Sequence, residues 1–150
     1  MINMYDKTLY SFDGCSLMVD TENSILCMTA DSSEYNEEVF LSFMDYLTSF
    51  WVYVKDNNLK YYMLIDVRGA SVAVMPLEFY RKLINVLNSL NDILNVHLHS
   101  ICILCPKKSI IKNVLNILFK LYTPSRPIKM VDSEESATVF FQCNTIKWWS

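Results

Sequence analysis

The stretch that most constrains this chain is Tyr61-Tyr62-Met63-Leu64-Ile65-Asp66-Val67-Arg68-Gly69. A strand with one wet face alternates apolar and polar residues. The run Tyr61–Ile65 does not alternate, so it has no face to give to water. It is also far too short to cross a bilayer. Both facts suit a strand buried on its two faces in the middle of a parallel sheet. The run ends in charge and glycine because the chain must leave the sheet and turn. The rest of the sequence then has to supply two covering layers.

The flanking patterns supply them in a regular order. Ser16–Val19 and Ser24–Thr29 are β-rich runs, and the polar turn Asp20–Asn23 joins them as a hairpin. Asp13-Gly14 marks a second turn before the first run. From Glu37 to Val54, Phe40, Phe43, Met44, Leu47, Phe50, Trp51 and Val54 recur at three- and four-residue spacing, one apolar stripe of a helix. Glu37 and Glu38 at its start and Lys55 at its end suit the helix dipole. After the central strand, Pro76 opens a second helix predicted to reach Leu94. Ser100–Cys105 is the next strand, with His99 before it and Pro106 after it. A third helix spans Lys107–Tyr122, and Thr123–Pro127 breaks it. Ile128–Val131 is a short strand. Asp132 and Glu135 then read as the capping box of a last helix carrying Ala137, Val139, Phe140 and Phe141. Strands alternating with helices imply an α/β class and a mostly parallel sheet, made mixed by the opening hairpin. No linker divides residues 1–150, so one domain is expected.

Charge is divided along the chain. Residues 1–59 hold ten acidic and two basic side chains, net −8, and residues 60–150 hold six acidic and eleven basic, net +5. This reads as two solvated faces of opposite sign. No signal peptide or membrane-spanning run is visible, so a soluble, cytoplasmic protein with reduced thiols is expected. Cys102 and Cys105 have metal-site spacing but fall in a strand, where residues three apart point to opposite faces. They read as core residues.

The central strand ending Leu64-Ile-Asp-Val-Arg-Gly69 resembles the STAS-like fold, in particular the small stand-alone SpoIIAA-like proteins of bacteria, whose strand ends in an acidic residue often followed by Arg-Gly. The segment Asn116–Ala137, with its helix, Pro turn, short strand and acidic cap before an alanine, is similar to the family's closing segment. The resemblance implies a STAS-like (SpoIIAA-like) mixed sheet with an N-terminal β-hairpin followed by alternating helices and strands. It implies a regulatory or protein-interaction module without catalysis. It also implies a phosphorylatable Ser or Thr after the central strand. Ser71 is the one hydroxyl residue there, five residues before Pro76 and without the family's adjacent Ser/Thr-Gly.

The residues themselves carry little catalytic signature. Two separated glycines make no phosphate-binding loop, and no cofactor or metal set is predicted. His97 and His99 flank a strand start and read as solvated or edge side chains. Ligands of open α/β sheets bind beyond the carboxyl ends of the strands. That rule selects Asp66, Arg68 and Ser71, with Lys107 and Lys108 after the neighbouring strand, as the candidate surface or ligand site. The competing reading of Asp66 and Arg68 is a local pair that fixes the turn. The expected partner is another protein or a second copy, the latter through Trp148 and Trp149. No nucleic acid and no membrane span are expected. The alternative function is a small-molecule or lipid carrier with an apolar pocket under the helices.

Overall fold

A computed structural model describes residues 7–12, 15–30, 37–69, 77–105, 113, 116 and 126–149. Its six strands are β1 (Lys7–Phe12), β2 (Cys15–Asp20), β3 (Ile25–Ala30), β4 (Tyr61–Asp66), β5 (Leu98–Leu104) and β6 (Ile128–Val131). Its helices are α1 (Glu37–Asp56), α2 (Leu77–Ser89), α3 (Asn91–His97) and α4 (Glu134–Trp149). The strands lie side by side in chain order. β1, β2 and β3 are antiparallel neighbours, and β3, β4, β5 and β6 are parallel. The fold is therefore α/β with a six-stranded mixed sheet, and Tyr61–Asp66 is interior to it, between β3 and β5.

The absence of alternation in β4 has its cause in two cores. Met63 and Ile65 join Leu17, Leu26, Met28, Ile101 and Ile103 against α1, α2 and α3. Leu64 points the other way, with Ile25, Cys27, Cys102, Leu104 and Val131, against Ala137 and Phe141 of α4. Cys102 and Cys105 belong to opposite cores, as period-two geometry requires. Cys27, Cys102, Cys105 and Cys143 are free thiols, and burial pushes Cys102 up to about 12.

Local chemistry sets the element ends. Asn23 donates its backbone N–H and its side-chain amide to Asp20, at 3.0 and 2.7 Å, which closes the β2–β3 turn. At the end of α1, Leu59 N–H reaches Val54 O and Asn58 N–H reaches Lys55 O. Asn58 there takes φ 51°, the left-handed stop that asparagine tolerates.

Three expectations change. The hairpin has a third strand, β1, with a register irregularity between Thr8 and Tyr10 that breaks its alternation. The helix predicted from Pro76 to Leu94 is two helices. Ser89 Oγ donates to Val86 O at 2.7 Å and Leu90 leaves helical geometry, because a serine hydroxyl competes with the backbone for the helix carbonyls. The last helix is capped by Ser133, not by Asp132: Ser133 Oγ accepts the Ser136 N–H at 3.2 Å. The predicted third helix, Lys107–Tyr122, lies outside the described residues except for Asn113 and Asn116, both helical.

Leu64 is 1% exposed. Leu64→Asp is expected to unfold the chain, since burying a lone carboxylate costs several kcal/mol on top of about 2–5 kcal/mol for the lost leucine. A cooperative thermal transition retained by the variant in circular dichroism would contradict the two-core placement.

Candidate functional site

All four parallel strands end at the same edge of the sheet, so Asp66 at the end of β4 and the start of α4 after β6 share that edge. Arg68 folds back on Asp66. Its Nε and Nη2 donate to Oδ1 and Oδ2 at 3.1 and 2.9 Å, and its backbone N–H donates to Oδ1 at 3.1 Å. Nη2 also reaches Glu134 Oε1 at 3.3 Å. Asp66 is partly buried, while Arg68 and Glu134 are exposed. The Asp66 carboxylate beside it raises the Arg68 pKa above its ordinary value, with Glu134 adding to the effect. The pair fixes the turn and also ties β4 to the first residue of α4. Ser71, Lys107 and Lys108 lie outside the described residues.

The two histidines are buried rather than solvated, at 7% and 6% exposure. His97 ends α3 and its Nδ1–H donates to Leu59 O at 2.7 Å. His99 sits inside β5, where four residues, Leu98 to Ile101, span the same interval as the three residues Tyr61 to Met63 of β4. This extra residue is a bulge that turns His99 toward α4. Its ring stacks on Tyr62 at 4.6 Å, and Tyr62 meets Phe141 at 4.8 Å. Desolvation, with the positive charges of Lys60 and Arg126, pulls the His99 pKa down to about 4. It is neutral at physiological pH. Among the described residues, no group of three or more His, Cys, Asp or Glu is placed to hold a metal.

A second concavity escaped the sequence reading. Between β6 and α4 lies a groove of about 640 Å³. Pro127 and Lys129 form one wall, and Glu135, Ser136, Val139, Phe140 and Cys143 form the other. Of the apolar residues read on the last helix, Val139 is 58% exposed, while Ala137 and Phe141 are buried. The signal was the spacing of Glu135, Val139 and Cys143, four residues apart on one helix face. It went unread because an apolar residue between two core residues looks like core.

No family model, no curated protein and no solved structure matches this chain. Among the described residues, no helix is long and apolar enough to cross a membrane.

His99 yields a pH prediction. Its folded pKa is below that of the unfolded chain, so its neutral form stabilises the fold above pH 6.5. That contribution is lost as pH falls toward about 4. Imidazole resonances should place the His99 midpoint near 4, and His99→Phe should flatten the fall in melting temperature over that window. A midpoint at the ordinary histidine value would contradict the stacked, desolvated placement.

Proposed function

We propose that this chain acts by binding, as a non-enzymatic regulatory or protein-interaction module of STAS-like type. The state of Asp66 carries this reading. A general base needs a free lone pair aimed at substrate. Both oxygens of Asp66 are instead engaged by Arg68. Among the described residues at the edge where an α/β enzyme would place its chemistry, Asp66, Arg68 and Glu134 are charges paired with one another. The opening antiparallel strands followed by strands and helices in chain order accord with the resemblance.

The partner in this reading is another protein or a second copy, and the rim Arg68–Glu134 is the surface it meets. The test is affinity capture of the tagged chain after cross-linking in the source cell. The unmodified chain should hold a stoichiometric partner, and Arg68→Glu should lose it. The same variant should keep its fold, because exposed ion pairs contribute only about 0–1 kcal/mol. Turnover of a metabolite pool by the purified chain, abolished by Asp66→Asn, would overturn the reading.

Self-association through Trp148 and Trp149 is tested separately. These residues end α4, and aromatic residues are enriched in interface cores. Deleting Lys147–Ser150 should leave a folded chain that sediments as a smaller species. Unchanged size would remove the tail from the interface.

The groove between β6 and α4 favours a second reading, a small-molecule or lipid carrier. Native mass spectrometry of protein from the source cell distinguishes the two. The bare chain mass supports the interaction module, and a stoichiometric adduct supports the carrier.

A further inference from the structure

The groove lies beside β6, the last strand of the sheet. β6 is last in the strand order, and no described strand pairs with its outer side. Successive residues of a strand turn their backbone groups alternately to either side. Pro127 O accepts the Ile101 N–H at 2.9 Å and Val131 O accepts the Cys105 N–H at 3.0 Å, so the odd-numbered residues face β5. Ile128 and Met130 therefore direct their N–H and C=O groups outward. The wall across the groove is α4, which presents the exposed Val139 and the partly buried Phe140.

We infer that this edge and groove together form a docking site for an extended peptide segment of another protein, added as a seventh strand beside β6. The inference rests on the interaction-module reading and gives it a partner chemistry. An edge strand supplies main-chain hydrogen bonds, and the adjoining groove receives alternate side chains of the added strand. Lys129 lies on the groove face of β6, so the cross-strand neighbour it favours is acidic. Two residues further along the peptide, the next side chain on that face meets Val139 and Phe140, so it is apolar. Among the described residues, no ion pair engages Lys129 or Glu135. Both charges remain available to the added strand. A second copy fits less well. Antiparallel self-pairing that uses both outward residues sets Ile128 opposite Met130, and this places Lys129 opposite Lys129, a repulsive pair.

The experiment uses the full chain and a display library of random octapeptides with blocked ends. Enriched peptides should carry an acidic and an apolar residue two positions apart. The best of them, synthesised, should shift the amide resonances of Ile128 and Met130. Methylating its backbone nitrogens one at a time should weaken binding at alternate positions, the signature of strand addition. Lys129→Glu should weaken it roughly tenfold or more, and replacing the peptide's acidic residue by lysine should restore affinity for that variant. Arg68→Glu should bind the peptide as the unmodified chain does.

A library with no enriched sequence would overturn the inference. So would a peptide indifferent to N-methylation, or Ile128 and Met130 shifts that follow protein concentration and mark a second copy as the occupant. If the groove takes no peptide but Arg68→Glu still loses its cellular partner, the docking site fails and the module reading stands. If the peptide binds but no cellular partner depends on Arg68, the docking site stands and the rim assignment fails.

Discussion

Burial of β4 on both faces is the constraint on which the rest of the structure depends. Alternate residues of one strand feed two separate cores. Met63 and Ile65 pack toward α1, α2 and α3, and Leu64 packs toward α4. Each apolar face gains about 25 cal/mol per Å² only if a layer covers it. The sheet is therefore stable only with helices on both sides. The strands run in chain order, and α1, α2 and α3 share one face. α4 is the helix described on the other.

This makes the placement of α4 central to both surfaces of interest. Toward its start, Glu134 meets Arg68, which is held by Asp66. Two turns later, Phe141 packs on Tyr62, which stacks on His99. The two anchors differ in kind. Desolvation and ring packing at Phe141 are insensitive to salt, whereas the exposed pair at Glu134 is screened by it. The aromatic contact thus holds α4 against the sheet, and the exposed pair adds little to that hold. The groove wall formed by Val139 and Phe140 follows the packing of Phe141 and Phe140 on the core.

Charge is less segregated than its distribution along the chain implies. Glu38, Asp45 and Asp56 of α1 are exposed, as an acidic face requires. Glu37, however, pairs with Lys82 of α2 at 2.9 Å, and that contact lowers its pKa. Two acidic residues, Glu134 and Glu135, open α4 in the basic half of the chain. Helix dipoles favour acid at helix starts whatever the net charge of the region, and this mixes the signs.

Much of the element order was legible from periodicity, because which face a side chain takes is a local property. The length of α1, the strand at Tyr61, the short strand Ile128–Val131 and the opposite faces of Cys102 and Cys105 all follow from repeats of 3.6 or 2. The Asp66–Arg68 turn was legible as one of two readings, since a short acid–base pair around a turn can close on itself. What periodicity could not encode was decided in three dimensions. β1 is a strand because β2 offers it an edge, despite an irregular register. His97 and His99 are buried because a bulge and the neighbouring Leu59 and Tyr62 enclose them. Val139 is exposed because, among the described residues, α4 packs on the sheet through Ala137, Phe141 and the partly buried Phe140. In each case the deciding partner is distant in sequence, and its position depends on how the layers pack.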